Sequence, residues 1–491
     1  MPPRWSVLLV NPPAPPSILN KEYLFPPSLL YLAGTLQHAG VDVQIFDCNI
    51  LRPWEAGTAL PEDTCLEALE RKVKELSPQL VGIGCLFSGQ FSAVAKFARH
   101  IKQLDERIAI VTGGIHPTVF AGKILEKCPE FDFIVLGEGE KQLLDLCHAT
   151  QTEKSVPAAL DGIAYRHQGE IVVRPKKTFF HDLDAVPFPA YNLINFFDYQ
   201  HDLSHWHNPW NIPFSVSVPV ITSRSCPNRC SFCSMFMTMG PRFRARSARN
   251  VVDEISLLYD TYNIRHFGIM DDNFTYSKKR TLEICSLIQQ RGLKFQFETL
   301  NGLMTRKLDD EIIDAMASVG WVRGAIAIES GSDYLRNTVI RKNLAREKIY
   351  DVVASINRYS HIHVKAYYVF GMPEETKETA RDTYTMIEDL AVHESYVTNV
   401  IPFPGTELFR QCDRDELFTH KVDQNDIFSD VFYYTDNKRF FIKPYQMSID
   451  DLIEWRTRFD DLLKKKKRLA VTSIDPNVAK MLHNITIHVE P

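Results

Sequence analysis

Three cysteines stand together in the stretch ITSRSCPNRCSFC, residues 221–233: Cys226, Cys230 and Cys233, at C-x3-C-x2-C spacing. Thiolates are soft ligands that suit zinc and iron–sulfur chemistry. Three of them fall one short of the four that normally close an iron–sulfur cluster. A 4Fe–4S cluster on this loop would therefore leave one iron free to bind a small molecule. The competing chemistry is a structural zinc site, which asks for four N or S ligands, usually in two pairs. Its fourth ligand would have to be a remote histidine. The other seven cysteines (Cys48, Cys65, Cys85, Cys128, Cys147, Cys285 and Cys412) are scattered and read as small buried apolar groups.

Whatever they bind, the thiols must be positioned by neighbouring elements. The apolar run VPVIT before the loop reads as a buried parallel strand. That puts the cysteines at the carboxyl end of a strand, where α/β folds bind ligands. A strand–helix rhythm then continues, with strands expected at 217–223, 265–270, 294–300, 322–330, 363–373 and 395–406. Helices are expected between them at 248–262, 278–291, 309–320, 345–358 and 375–392. Six such units predict a partial (β/α)6 barrel of TIM type over residues 216–415. Polar residues follow the strands: Asp271, Asp272 and Asn273; Glu298 and Asn301; Glu329 and Ser330. Each acidic residue among them would also serve as a helix N-cap or a barrel salt bridge.

With the aromatic Phe232 just before its last cysteine, the loop resembles that of the radical SAM superfamily. The resemblance implies a 4Fe–4S cluster on Cys226, Cys230 and Cys233 whose open iron takes the amino and carboxylate groups of S-adenosylmethionine (SAM). It implies cleavage of SAM to a 5′-deoxyadenosyl radical by an electron from an external donor of flavodoxin or ferredoxin type. It also implies SAM contacts from the strand ends. Asp272 and Asn273 would lie near the methionine amino group, Glu329 near the ribose, and Glu298 among the carboxylates that hold the molecule. Ser330 would bond the methionine carboxylate, Arg341 or Lys342 would neutralise it, and Phe232 would pack beside the adenine.

Residues 1–150 carry a second α/β pattern. Strands are expected at 5–10, 41–47, 79–86, 108–114 and 131–137, separated by helices at 28–40, 65–76, 90–104 and 117–127, with a last helix from Glu140. Five βα units predict a doubly wound, Rossmann or flavodoxin-like parallel sheet whose crevice lies at the strand ends. Gly113, Gly114, Gly137 and Gly139 stand in the loops that reach it and would let a large ligand approach the backbone. The N-terminal NPP, the helix FPPSLLYLAGTLQHAG, the turn GG-x-HPT and the loop GEGE together resemble the cobalamin-binding domain that precedes the barrel in many radical SAM enzymes. The resemblance implies contacts to cobalamin, as methylcobalamin or hydroxocobalamin, from Gly113, Gly114, His116, Gly137, Glu138 and Gly139. Loop 85–90, with Ser88 and Gly89, would lie near the lower cobalt face. No D-x-H-x-x-G motif follows the first strand, so the resemblance implies cobalt without a histidine ligand, with His116 at the corrin periphery.

Between these regions, residues 151–215 lose the rhythm and read as a linker containing a small hairpin and a Pro-, His- and Trp-rich stretch. His201, His205 and His207 there invite a metal reading, but such linkers commonly carry histidines and aromatics that pack between domains. Residues 416–491 read as a small, mostly helical C-terminal cap with a helix at 448–469. The net charge of −5 shows no basic bias, so nucleic acid is not an expected partner, and the run KKKKR at 464–468 reads as a solvated helix end. The apolar run around Val7–Val10 is too short for a signal-peptide core or a membrane span, and no later segment is long enough to span a membrane. The expectation is a cytoplasmic protein with reduced thiols.

The two resemblances together imply a cobalamin-dependent radical SAM methyltransferase acting on an unactivated carbon, or on phosphorus, of a small metabolite. Two alternatives stay open. One is a cyclase or ring-rearranging enzyme using the same cofactors. The other is a tRNA methylthiotransferase, which would need a second cysteine triad and a basic tail that the sequence does not display.

Overall fold

A computed structural model describes residues 5–14, 25–51, 62–86, 88–152, 156, 160–200, 203, 206–420, 426–428 and 439–472. The chain divides into two compact units. The first takes Met1–Tyr199 together with Ser234–Arg244 and Val422–Thr435; the second takes the rest.

The first unit is built on a seven-stranded sheet. Its strands are β1 (Ser6–Asn11), β2 (Asp42–Asp47), β3 (Leu80–Gly84), β4 (Ala109–Gly113), β5 (Phe133–Val135), β6 (Ile163–His167) and β7 (Glu170–Arg174), in the order β2-β1-β3-β4-β5-β6-β7. The first five are parallel. Strand side chains alternate in direction, and both directions are apolar here. Leu8, Val10, Val81 and Ile83 face one core with Phe91, Phe97 and Ile101, while Val7, Leu9, Leu80 and Val111 face the other with Leu29, Leu36 and Leu146. A sheet buried on both faces needs helices on both, which is the doubly wound architecture the sequence predicts. The expected hairpin is present as β6 and β7, and it extends this sheet in antiparallel fashion.

The second unit holds six parallel strands in sequential order: β8 (Val218–Val220), β9 (His266–Ile269), β10 (Gln296–Thr299), β11 (Trp321–Glu329), β12 (His363–Phe370) and β13 (Glu394–Asn399). This is the partial barrel. The helices between the strands start at caps that the sequence supplies. Ser247, Ser277 and Asp309 accept from the backbone N–H groups of Asn250, Arg280 and Ile312, and Thr376 forms a capping box with Thr379. Along β12, Val364, Ala366, Tyr368 and Phe370 are buried, whereas the alternate residues His363, Lys365, Tyr367 and Val369 stay partly accessible.

The aromatic stretch before the barrel packs across the amino ends of its strands. Phe214 stacks on His266 at 4.3 Å and His207 on His363 at 3.8 Å. The His207 Nε2 atom lies 2.8 Å from the carbonyl of His361. His207 is thus a packing residue, while His201 and His205 lie outside the described residues. The C-terminal helix Ile449–Thr472 matches the expected one and packs Phe459 on Phe370 and Tyr384. Within the basic run, Lys466 is not merely solvated. Its ammonium donates to the carbonyls of Ile387 and Leu390 and caps the end of helix Lys377–Asp389.

One glycine fixes a close approach. Gly34 lies within helix Pro27–His38, and a Cβ there would stand 2.2 Å from the backbone oxygen of Phe188. Alanine is normally the better helix former by about 1 kcal/mol. Gly34→Ala is nevertheless expected to destabilise the protein by about 1–3 kcal/mol; a raised urea midpoint would contradict this packing.

Candidate functional site

The cysteine loop leaves β8 through Thr222, Ser223 and the left-handed Ser225 (φ 71°). Asp271, at the end of β9 and buried, accepts from the Thr222 N–H (2.6 Å), the Thr222 hydroxyl (2.5 Å) and the Ser223 hydroxyl (2.6 Å). Beyond these anchors the loop turns tightly, with the Cys233 N–H donating to the Cys230 carbonyl at 3.0 Å. Cys230 is buried; Cys226 and Cys233 are half-buried, and all three are free thiols. Burial pushes the Cys230 thiol up to about 12, against the pull of the nearby Lys342 ammonium. Ligation must therefore displace a proton from it. Among the described residues, no three His, Cys, Asp or Glu side chains close round a single metal ion. Three thiols on one loop are one short of the four ligands that either a structural zinc or a closed iron–sulfur cluster takes.

The strand ends bring several of the expected residues to these thiols. The Asn273 side-chain amide donates to the Cys226 sulfur at 2.6 Å, so its contact in this structure is to a cysteine. Asp272 beside it is pushed up to about 6, by burial and by the neighbouring Asp271. Glu329 ends β11 in the left-handed region (φ 74°), where the pairing with β12 shifts register. Its carboxylate accepts from Lys342 at 2.7 Å. Burial disfavours the Lys342 ammonium, but Glu329 and the thiols of Cys230 and Cys226 outweigh that cost and raise its pKa. A buried non-glycine residue held left-handed at a strand end is a pattern typical of functional sites. Phe232 is half-buried within the loop.

Other expected residues are engaged elsewhere. Glu298 lies inside β10 rather than after it, buried 3.1 Å from Arg323 and 3.6 Å from His266. Burial raises its pKa, but His266 and Arg323 overcome this and hold it below the usual value. The Ser330 hydroxyl accepts from the Ser332 N–H at 3.1 Å and lies 3.2 Å from the Thr383 hydroxyl. Arg341 points away from Lys342 to Glu407, a bidentate pair at the surface.

In the first unit, the loops after β3 and β4 meet at the carboxyl edge of the sheet. Leu86 there is 49% exposed, an apolar side chain at the edge of the sheet where doubly wound folds bind their ligands. Ser88 and Gly89 begin the next turn, Ser88–Gln90, and the Ser88 hydroxyl lies 3.0 Å from His116 Nδ1. His116 itself is buried between Phe91 (4.6 Å) and Phe120 (4.8 Å), and its Nε2 atom has no hydrogen-bond partner among the described residues. The histidine is therefore enclosed by the protein's own aromatic rings. An unpaired buried nitrogen beside the crevice is consistent with a polar group of the cofactor reaching it.

The glycines serve the protein's own packing. A Cβ on Gly114 would meet the Cys85 oxygen at 2.1 Å, and one on Gly137 the Thr238 oxygen at 2.8 Å. One on Gly113 would stand 3.2 Å from the Val135 oxygen, and one on Gly139 3.2 Å from a Val135 methyl. Glu138 is paired with Arg244, which the sequence reading did not single out. The buried guanidinium donates to both carboxylate oxygens, at 2.9 and 2.6 Å, and to the carbonyls of Phe180 and Met239. The two residues lie 106 positions apart, so no local pattern announces the pair.

Comparison with known proteins adds to this geometry. Residues 21–146 match the B12 binding domain family, and residues 220–387 match the radical SAM superfamily. Over 415 residues the chain is 29% identical to the uncharacterized methyltransferase PH0819 of Pyrococcus horikoshii, covering 84% of each. Over 444 residues it is 27% identical to the cytidylyl-2-hydroxyethylphosphonate methyltransferase of Streptomyces wedmorensis, covering 83% of this chain and 82% of that one. It shares its fold with the radical S-adenosylmethionine methyltransferase TsrM from Kitasatospora setae, solved with cobalamin and a 4Fe–4S cluster. That match has a TM-score of 0.68 and 18% identity, over 96% of this chain and 90% of that one.

Two tests follow from the first unit. Burial pushes the His116 pKa from 6.5 down to about 4. Between those values the unfolded chain binds more protons, so this contribution is full above pH 6.5 and is lost as pH falls towards 4. His116→Gln is expected to flatten the acid limb of the thermal-unfolding profile over that range; a limb as steep as the wild type's would contradict the assignment. Arg244→Met removes the bidentate partner of the buried Glu138, with an expected cost of about 3–5 kcal/mol. Adding Glu138→Leu should recover most of that loss in urea unfolding.

Proposed function

Because this chain belongs to the radical SAM enzymes that carry a B12-binding domain, we propose that it is a cobalamin-dependent methyltransferase acting on a carbon, or on phosphorus, of a small metabolite. The observation that carries the reading is the joining, in one chain, of a three-cysteine loop at a barrel strand end to a doubly wound B12-binding sheet. Two relatives named as methyltransferases align over more than four-fifths of its length. Among the described residues no helix is long and apolar enough to cross a membrane.

When bound, the cluster with SAM supplies a carbon radical able to take hydrogen from an unactivated C–H bond, and the cobalamin supplies the methyl group. The protein's part is position, charge and exclusion of water. Cys226, Cys230 and Cys233 hold the cluster, and the Asn273 amide supports the Cys226 sulfur. Lys342 places a buried positive charge between the thiols and Glu329, where it balances the charge of the ligated cluster. Asp272 and the Glu329–Lys342 pair are the groups best placed to orient the amino and carboxylate ends of SAM. The aromatic packing of Trp206, His207 and Phe214 closes the amino end of the barrel and leaves its carboxyl end for the reaction.

The test is an anaerobic incubation of reconstituted protein with SAM, reductant and cobalamin, read by mass spectrometry. S-adenosylhomocysteine, methylcobalamin and 5′-deoxyadenosine together are the expected products. 5′-Deoxyadenosine alone, with cobalamin bound but never methylated, would move the assignment to a cyclase or rearrangement. Cys230→Ala is expected to abolish the cluster's visible absorbance and SAM cleavage while leaving cobalamin bound.

A further inference from the structure

The cysteine loop lies at the surface of the second unit, and the charged side chains around it are unequal in sign. Arg229, within the loop, is exposed. Ser231, between the last two cysteines, is held on both sides: its N–H donates to the Ile340 carbonyl at 3.3 Å and its carbonyl accepts from the Leu408 N–H at 3.0 Å. Those two bonds bring Arg341 and the first turns of helix Glu407–Arg414, with the exposed Arg410, against the loop. On the other side, the Asn228 amide reaches the Met304 sulfur at 4.0 Å, and the turn Thr305–Lys307 places Arg306 and Lys307 there. Lys307 is exposed, with its ammonium 4.5 Å from the Tyr276 ring centre. Five cations therefore flank the loop. Within the same set of segments the carboxylates are Glu407, which is paired with Arg341, and Asp413 near the far end of its helix. This local excess is opposite in sign to the chain's net charge of −5.

Cleaving SAM takes one electron from outside the substrate. The seven cysteines outside the loop are all buried and dispersed over both units, and none joins the triad. The route for the electron therefore runs through the exposed side of the loop. We propose that the cationic rim of Arg229, Arg306, Lys307, Arg341 and Arg410 is the docking surface for a small acidic one-electron carrier protein of flavodoxin or ferredoxin type. One electron leaves the carrier's reduced centre and is taken up by the oxidised cluster, and no bond or proton moves between the proteins. Opposite surface charges steer the encounter and are screened by salt. The inference rests on the cluster-bearing reading of the loop, not on what the enzyme methylates.

The experiment uses the reconstituted full-length protein and a bacterial flavodoxin reduced to its hydroquinone, mixed anaerobically in a stopped-flow instrument. The readout is bleaching of the cluster's visible absorbance, without substrate. The expected result is a second-order rate that falls as ionic strength rises. Arg229→Glu with Arg410→Glu should slow it about tenfold or more at low salt. Dithionite, a small reductant that needs no docking, should reduce wild type and variant equally, with equal iron content. A variant reduced by flavodoxin as fast as wild type would overturn the proposal. So would equal slowing with dithionite, since the arginines would then act on the cluster itself. Loss of RNA binding in the variant with an unchanged flavodoxin rate would also overturn it, in favour of a phosphate-binding surface. Since reduction is read without SAM turnover, a failure of the methyltransferase reading leaves this result interpretable.

Discussion

A carboxylate removed from water must be met by hydrogen-bond donors, and the cysteine loop depends on one such group. Asp271 takes three donors from Thr222 and Ser223, the last residues before the loop turns outward. Thr222 is used in full: its N–H and hydroxyl go to Asp271, and its carbonyl accepts from the Arg246 N–H and from Arg280. Arg246 is itself paired with the buried Glu254. The end of the first barrel strand is thus tied to the second strand and to the two helices that follow. Buried polar networks of this kind are stable only when every member is satisfied. The loop consequently leaves the barrel at a fixed point and in a fixed direction, which three ligands to one rigid cluster require.

Much of the architecture was legible because it follows from periodicity and punctuation. Apolar runs alternating with helical patterns mark both sheets, and Gly40, left-handed at φ 78° after the first helix, marks its end as expected. The triad was legible because its spacing is local. Asn273 and Glu329 were legible as polar groups after strands, though not their partners, the Cys226 sulfur and the Lys342 ammonium. What local pattern does not reveal is what lies across space. Glu298 looks like a strand-end carboxylate, yet the strand runs one residue past it and Arg323 faces it from the neighbour. The loop glycines look like room for a ligand, yet backbone oxygens from distant segments fill the space beside Gly114 and Gly137.

Conformation adds a signal that residue type does not carry. Glu329, Arg341 and Asn343 all sit in the left-handed region, within fifteen positions on either side of Lys342. Each costs energy for a residue with a Cβ. Two of the three border the buried ammonium directly in sequence, and the third is bonded to it. Strain gathered round one charged group next to the thiols indicates that its placement matters more to this fold than the relaxed backbone would.

The way the first unit is assembled has a consequence for how the protein comes into being. Glu138 waits for Arg244, and the core around Phe91 includes Ile427, with the tilted Phe428 ring 5.4 Å from the Phe91 ring. A nascent chain that has just emerged as far as Tyr199 holds every strand of the first sheet but lacks these pieces. Until the ribosome passes the 420s, that sheet lacks the side chains of Ile427 and Phe428 that pack on its core. Amino-terminal domains commonly fold as they are made. Here the first domain to emerge is completed only by segments made after the barrel has begun and after it has ended, so a single cut in the gene does not separate the two units.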